Sequence, residues 1–265
     1  MQWALPRRGY RWSGFRKPRS QVLKRIRDRM QDLNISGGYD EYRSYLEENP
    51  EEWTVFDRFC YVTISKFFRD RKLWEFIRDE ILSEYLPEKD HERPVKIWSA
   101  GCCNGEEPYT IAIIIAQLMG KMPDAEDAQI LASDREDDVL RRAQKGVYPA
   151  SALKELTSEE LNSFFVKSDS IETEEYKIKK GLADPIEFEK RNIRESLPVR
   201  EFDLVFCRNL VFTYFRQEQV KNFLRSLKPI LKSGGYLIIG SNEQIPSTAW
   251  LSQVETGHTV YKKNS

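Results

Sequence analysis

Two adjacent carboxylates, Glu106 and Glu107, follow a glycine-containing turn in residues 95–109, which read V-K-I-W-S-A-G-C-C-N-G-E-E-P-Y. An apolar run ends at this turn, and a helical pattern begins after it. Gly101 and Gly105 allow the backbone to approach a bound group closely, because glycine has no Cβ and tolerates positive φ. The two carboxylates would repel a phosphate, so the turn favours a ligand with a positive centre.

S-adenosylmethionine is such a ligand, because it carries a sulfonium and an amino group. The alternative is an ordinary strand-to-helix turn in which the two carboxylates stabilise the N-terminus of the helix. A further acid, Asp134, ends the short β-like run of residues 129–134. In Rossmann-type sheets, an acid at the end of the second strand accepts hydrogen bonds from ribose hydroxyls. Together the two features predict a nucleoside cofactor at the carboxyl ends of neighbouring strands.

Composition limits the partners and the location. Lysine plus arginine and aspartate plus glutamate number 42 each in 265 residues, so the net charge gives no sign of a nucleic-acid partner. No apolar run reaches the roughly 18 residues of a membrane span, and the start lacks the apolar region of a secretory signal. We therefore expect a cytoplasmic protein that is not membrane-inserted, with a monomer as the simplest state. Four cysteines without C-x-x-C spacing and only two histidines predict buried, reduced thiols and no metal site.

Helical patterns fill the first part of the chain and predict an all-helical subdomain over residues 1–88, followed by a charged, proline-bounded linker. The first long helix, over residues 20–33, is amphipathic. Its polar face carries Lys24, Arg25, Arg27 and Arg29. Such a face is either solvated or a docking surface for an acidic partner helix.

Residues 89–265 alternate strand and helix patterns, which predicts an α/β fold with a Rossmann-like methyltransferase sheet. Residues 258–262 are expected to add an antiparallel edge strand. A small antiparallel β insertion is predicted at about residues 165–190, because residues 176–180 and 186–190 alternate apolar and charged side chains as a hairpin would. Residues 188–192 are expected to lead back to the binding edge of the main sheet.

At these motifs the chain resembles the CheR family of chemotaxis methyltransferases, which use S-adenosylmethionine to methylate glutamate side chains of chemoreceptors. W-S-A-G-C-C-N-G-E-E-P-Y resembles the first motif of that family, and S-D-R-E-D-D-V-L-R-R-A-Q-K-G-V-Y resembles the second. F-D-L-V-F-C-R-N with T-Y-F resembles the fourth, and L-K-S-G-G-Y-L-I-I-G-S-N-E resembles the last. The N-terminal part is similar through S-K-F-F-R-D and the arginine-rich helix.

The resemblance implies a set of cofactor contacts. The residues that it places around the cofactor are Thr63, Ser65, Arg69, Gly101, Glu106, Asp134, Asn192, Ile193, Arg208 and Asn209. Glu106, with Glu107 as second choice, would hold the amino group, and Asp134 the ribose. The first three residues would close over the cofactor, the pair at 192–193 would flank the adenine, and the pair at 208–209 would line the methionine end.

The resemblance also suggests two catalytic residues. Arg69 would pair with the acceptor carboxylate through its fork of donors, and Tyr214 would orient that carboxylate. A glutamate acceptor is already ionised near neutral pH, so no strong base is required.

The leading hypothesis is a protein-glutamate O-methyltransferase that acts on an acidic or glutamate-bearing helical segment of a chemoreceptor and releases S-adenosylhomocysteine. Two alternatives remain. One is a related methyltransferase with a different protein or small-molecule acceptor. The other is an adaptor that holds the cofactor without turning it over. In the family, the inserted β structure can also dock a receptor tail.

Overall fold

The strand patterns form a seven-stranded sheet in the computed structural model, which describes residues 1–62, 65–86, 93–168, 174–254 and 259–264. The strands are β1 (Val95–Ala100), β2 (Ala128–Asp134), β3 (Val147–Pro149), β4 (Phe165–Lys167), β5 (Glu175–Ile178), β6 (Ile186–Lys190), β7 (Phe202–Cys207), β8 (Leu231–Ile239), β9 (Leu251–Gln253) and β10 (Val260–Lys263). The large sheet has the order β6-β2-β1-β7-β8-β10-β9. Its first five strands are parallel, and the last two pair antiparallel. The predicted α/β class with a Rossmann-like sheet is confirmed.

Helices precede the sheet and connect its strands. They are α1 (Ala4–Arg7), α2 (Arg19–Asp32), α3 (Gly38–Glu48), α4 (Glu52–Phe59), α5 (Arg71–Phe76), α6 (Ser83–Tyr85), α7 (Glu106–Met119), α8 (Asp137–Lys145), α9 (Ser158–Phe164), α10 (Val211–Tyr214) and α11 (Gln217–Leu227). A π-helical stretch, Ile77–Leu82, joins α5 to α6. No helix in the described part of the chain is long and apolar enough to cross a membrane.

The central parallel strands β1, β2 and β7 are buried on both faces, which explains their nearly continuous apolar sequences. Ile97 of β1, Ile130 of β2 and Leu204 of β7 are at most 1% exposed. Helix α7 buries an unbroken run of isoleucines and alanines against them. Because these core residues fix the strand register, they also fix where each strand ends, and the polar motifs follow those ends.

The chain divides into two compact units. One comprises Met1–Thr63 and Leu210–Lys221, and the other comprises Ile64–Asn209 and Asn222–Ser265. The predicted boundary near residue 88 lies outside the described residues. Leu73, Trp74 and the apolar residues of the π-helical stretch share one core with the strands and α7. The domain boundary stays a prediction.

The predicted hairpin between residues 176–180 and 186–190 is wrong. β5 pairs antiparallel with β3 and β4 in a separate three-stranded sheet, whereas β6 pairs parallel with β2 and is the edge strand of the main sheet. The alternation does belong to half-exposed strands, but an edge strand of a parallel sheet shows the same alternation as a hairpin strand. The expected return of residues 188–192 to the main sheet is confirmed for β6.

The C-terminal strand β10 is antiparallel, as predicted, but it is not the edge. β9 pairs with its outer side over Leu251–Gln253. β9 has no clear sequence pattern, because it is short and only its first residue, Leu251, is buried. Of the predicted strand at 258–262, residue 258 lies outside the described residues.

The basic face of α2 divides into two sets. Arg25 donates from Nη1 to two carbonyl oxygens at the end of α4 and just beyond it, at 3.0 and 2.6 Å. Arg29 forms a bidentate pair with Glu52 of α4, at 3.0 and 2.7 Å. Lys24 and Arg27 remain exposed. The expectation that all four basic residues share one outward face is therefore wrong, because two of them hold the helical unit together.

Candidate active site

The turn after β1 is held in a conformation that only some residues adopt. Gly101 has a φ of 78°, Cys103 of 54° and Gly105 of 92°. A Cβ at position 105 would lie 2.9 Å from the Cβ of Ala143 and 3.0 Å from the hydroxyl of Tyr148. Glycine at 105 therefore meets both a backbone and a packing requirement, and the turn stays narrow at the start of α7.

Asp134 lies beside this turn. It is 3% exposed, and its carboxylate accepts hydrogen bonds from the backbone N–H of Cys103 at 3.0 Å and of Glu136 at 3.2 Å. The backbone N–H groups of Gly101 and Cys102 both donate to the carbonyl oxygen of Ser133, the residue before Asp134 in β2. The structure thus brings together the glycine turn and the acid at the end of the second strand. The ribose contact of Asp134 stays a prediction.

Glu106 begins α7 with a side chain that is 3% exposed. Burial raises the pKa of its carboxyl group, and hydrogen bonds from its own backbone N–H and from the side chains of Ser65 and Asn104 oppose that rise. Its Oε2 atom is buried and has no hydrogen-bond partner within the described ranges. A buried carboxylate oxygen without a donor is unfavourable, so this atom fits a cationic ligand group such as the amino group of S-adenosylmethionine.

Glu107, the second choice for that role, is bound by the protein itself. Its Oε1 accepts from the hydroxyl of Ser99 at 2.8 Å, and its Oε2 accepts from Arg208 Nη1 at 3.3 Å. Burial raises the pKa of Glu107, and the charges of Arg208 and Arg69 act against that rise. The two adjacent glutamates therefore differ in kind. Glu106 has an oxygen left for a ligand, whereas the oxygens of Glu107 are both engaged.

Arg208 is the centre of an ion cluster at the end of β7. Its guanidinium, whose side chain is 4% exposed, donates from Nη2 to the Asp70 carboxylate at 2.6 Å and to the carbonyl oxygen of Arg69 at 2.8 Å. With the contact to Glu107, these bonds direct Arg208 towards protein groups. The residue was expected to line the methionine end of the cofactor. The structure brings it together with Arg69, and the ligand contact remains a prediction.

Asn192 and Ile193 follow β6, next to Asp134. The backbone N–H of Arg191 donates to the carbonyl oxygen of Asp134 at 2.8 Å. The Asn192 side chain closes its own turn, accepting from the backbone N–H of Arg194 at 3.1 Å. Ile193 is half-buried. The pair therefore lies at the same strand edge as the acid, which is the placement that an adenine contact requires.

Asn209 is held by a residue that the sequence analysis did not select. It adopts a φ of 54°, and its backbone N–H donates to Oε2 of Glu243 at 2.8 Å. The same oxygen accepts from the N–H of Gly240 at 2.6 Å, and Glu243 is 3% exposed. This buried carboxylate joins the ends of β7 and β8. Its position within G-S-N-E, directly after a buried strand, was the available signal.

The remaining two predicted residues are Thr63 and Tyr214. Thr63 lies outside the described residues. Tyr214 ends α10 and belongs to the other compact unit, where its ring centroid lies 5.0 Å from that of Phe15. Its carbonyl oxygen accepts from the backbone N–H of Arg11 at 2.8 Å. Its catalytic role stays a prediction.

The chain is similar to several known proteins. The family described as CheR methyltransferase, SAM binding domain, matches residues 63–260. The chemotaxis protein methyltransferase of Salmonella typhimurium is 31% identical over 92% of this chain and 82% of its own length. Chemotaxis protein methyltransferase 2 of Pseudomonas aeruginosa is 29% identical over 95% of this chain and 89% of its own. Among solved structures, magnesium protoporphyrin IX methyltransferase from Synechocystis PCC 6803 aligns at 14% identity with a TM-score of 0.36, over 64% of this chain and 54% of that chain.

Proposed function

Because the chain belongs to the CheR family of S-adenosylmethionine-dependent methyltransferases, we propose that it methylates glutamate side chains of a chemoreceptor. The observation that carries the proposal is the buried Oε2 of Glu106 at the start of α7, which has no hydrogen-bond partner among the described residues and lies near the glycine turn that Asp134 contacts. A site with acids from two successive loops suits a ligand with a cationic amino acid end and a ribose.

In this proposal different residues of the site bind different parts of the cofactor. Glu106 binds the amino group, Asp134 binds the ribose hydroxyls, and Asn192 with Ile193 flanks the adenine. S-adenosylmethionine, when bound, supplies a methyl group activated by its positively charged sulfonium. Because the carboxylate of Glu106 must be ionised to bind an ammonium group, affinity should rise with pH through its raised pKa.

Arg69 is the proposed acceptor-binding residue. Its guanidinium would orient the acceptor carboxylate through two donors, whereas the orienting role of Tyr214, which belongs to the other compact unit, stays a separate prediction. Methyl transfer needs an aligned nucleophile more than acid–base chemistry, so positioning is the main task of both side chains.

We predict that the native protein transfers a tritiated methyl group from S-adenosylmethionine to helical receptor fragments. The label should be released by mild base, because a methyl ester is base-labile, and it should be absent from fragments whose glutamates are replaced by alanine. A base-stable label would indicate another acceptor. Cofactor binding without any transfer to protein or small molecules would indicate the adaptor.

Docking of the receptor segment is proposed to use the exposed basic residues of α2. Lys24→Glu with Arg27→Glu should lower turnover at limiting receptor fragment about tenfold at low ionic strength, because opposite charges steer association. The difference should shrink in high salt. Affinity for S-adenosylhomocysteine should not change.

Lys221→Glu with Arg225→Glu is the matched control, since these residues are equally exposed and lie on a different helix, α11. If this control lowers turnover as much as the α2 variant, net charge rather than α2 sets the rate, and the docking proposal fails.

A cytoplasmic location and a monomeric state remain parts of the proposal, testable by cell fractionation and light scattering.

A further inference from the structure

We propose that Asp70 and Arg208 are positioning residues for Arg69, acting as a clamp on the backbone of residues 68–70. This inference rests on the proposed function, because it assumes that Arg69 orients the acceptor. The clamp comprises the Asp70 carboxylate, the Arg208 guanidinium and the Glu107 carboxylate, all within one compact unit.

The backbone on both sides of Arg69 is unusual. Phe68 has a φ of 48° and Asp70 a φ of 65°, so two non-glycine residues in the left-handed region flank Arg69. Each such residue is disfavoured by about 1 kcal/mol and persists where the surroundings impose it. A phenylalanine has no side-chain hydrogen bond to favour this conformation. The surrounding contacts must therefore hold the segment.

Arg208 supplies those contacts from the end of β7. One nitrogen, Nη2, donates to both the carbonyl oxygen of Arg69 and the carboxylate of Asp70. The other, Nη1, donates to Glu107 in the first turn of α7. A single planar group thus ties the Arg69 backbone to the helix that carries Glu106. Lysine could not reproduce this, because it has no fixed fork.

Trp74, in α5, contacts the clamp and the same backbone segment. Its Nε1 donates to the same carbonyl oxygen of Arg69 at 2.9 Å, and its ring stacks on Phe206 with centroids 5.3 Å apart. The Arg208 guanidinium carbon lies 5.2 Å from the Trp74 ring centroid. Because the Arg69 carbonyl accepts two hydrogen bonds from buried side chains, its peptide plane has little freedom to rotate.

On the N-terminal side, the backbone N–H of Phe68 donates to the hydroxyl of Thr110 in α7 at 3.2 Å, and that hydroxyl donates to the carbonyl oxygen of Glu106 at 2.6 Å. Residues 68–70 are therefore fastened to α7 at both ends. The side chain of Arg69 therefore extends from a backbone segment that is held in place by α7, the helix that also carries Glu106. An error of about 1 Å in such a segment can lower a rate about a hundredfold.

The test uses the full chain and three substitutions. Asp70→Gly removes the ion pair with Arg208, while glycine adopts the left-handed conformation without strain. Loss of the ion pair should therefore lower kcat for receptor fragments at least tenfold. Asp70→Asn keeps the shape and tolerates the left-handed conformation, so it should retain several-fold more activity than the glycine variant. Asp79→Asn is the matched control, because Asp79 pairs with Arg78 on the surface of the same unit.

Affinity for S-adenosylhomocysteine should be unchanged in Asp79→Asn and should fall by less than kcat in the two Asp70 variants, because Glu106 and Asp134 are unchanged whereas Arg69 and Arg208 are also predicted to contact the cofactor. A double-substitution cycle separates positioning from general destabilisation. In an Arg69→Ala background, Asp70→Gly should cause little further loss of kcat, since there is then no side chain to position. Equal losses with and without Arg69, or an unchanged kcat in Asp70→Gly, would overturn the inference.

Backbone hydrogen exchange distinguishes failure of the clamp from failure of the proposed function. If the native protein does not methylate receptor fragments, the amides of residues 68–70 should still exchange faster in Asp70→Gly than in Asp79→Asn. Unchanged exchange there would overturn the clamp independently of the acceptor.

Discussion

Replacing Glu106 by glutamine should weaken S-adenosylhomocysteine binding about thirtyfold or more while it stabilises the cofactor-free protein. The loss of affinity follows from removing the anion that would face the ligand amino group. Truncating one partner of a buried, hydrogen-bonded charge pair costs about 2 to 5 kcal/mol, and the lower limit corresponds to about thirtyfold in Kd. The side chain is almost wholly buried, so solvent would not replace the lost interaction.

The gain in stability has the opposite origin. Burial raises the pKa of Glu106, so keeping its carboxylate ionised at neutral pH destabilises the folded state without ligand. The protonated carboxyl group of Glu106 is compatible with burial and so contributes to the stability of the folded state. This contribution is complete below the pKa of the unfolded chain and is lost as pH rises through the pKa of the folded state. The glutamine variant avoids this loss. It should therefore be more stable than the native chain at neutral pH, which a higher Tm would show, and the difference should vanish in acid.

Calorimetric titration and thermal unfolding on either side of the raised pKa measure both effects. Glu159→Gln is the matched control, because Glu159 is likewise an acid in the first turn of a helix, α9, but its side chain is exposed. It should change neither quantity appreciably. A Glu106→Gln protein that binds S-adenosylhomocysteine as well as the native chain would remove the cofactor assignment of this residue.

The sequence was sufficient for the parts of the site that depend on strand ends. Gly101, Glu106 and Asp134 each follow an apolar run, and parallel strands bring their carboxyl ends to one edge of the sheet. The spatial meeting of the turn and Asp134 could therefore be predicted from two local patterns. Glu106 could not be separated from Glu107 in this way, because their difference arises from partners distant in sequence, namely Ser65 for one and Arg208 for the other.

Features that depend on tertiary pairing were not predictable. β6 alternates like a hairpin strand, and only its pairing with β2 places it in the main sheet. Asp70 and Glu243 look like solvated acids in the sequence, yet each accepts hydrogen bonds that hold a left-handed residue of the site. The basic helix α2 shows the same limit, since helical periodicity places charges off the apolar stripe without showing which of them reach a neighbouring helix.

Arg29→Ala should lower the free energy of unfolding by up to about 3 kcal/mol, the lower end of the loss for breaking a buried ion pair, because Glu52 is buried whereas the Arg29 side chain is 30% exposed. Among the described residues, Glu52, which is 2% exposed, would keep the side-chain hydrogen bond from the Tyr42 hydroxyl at 2.9 Å. Burial, with the neighbouring Glu52 charge, raises the pKa of Tyr42, so this hydroxyl stays protonated and cannot neutralise the carboxylate. A buried, unpaired anion is thus the source of the loss.

Urea unfolding of the native chain and Arg29→Ala measures this effect, and Lys24→Ala is the control on the same helix. Lys24 pairs with Asp28 at 2.7 Å, but both side chains are largely exposed, so its removal should change stability by less than about 1 kcal/mol. Arg29→Met with Glu52→Leu should recover most of the loss, because it removes both charges together. If Arg29→Ala is as mild as Lys24→Ala, then Arg29 is free to serve as a docking residue, and the division of α2 into structural and exposed charges is incorrect.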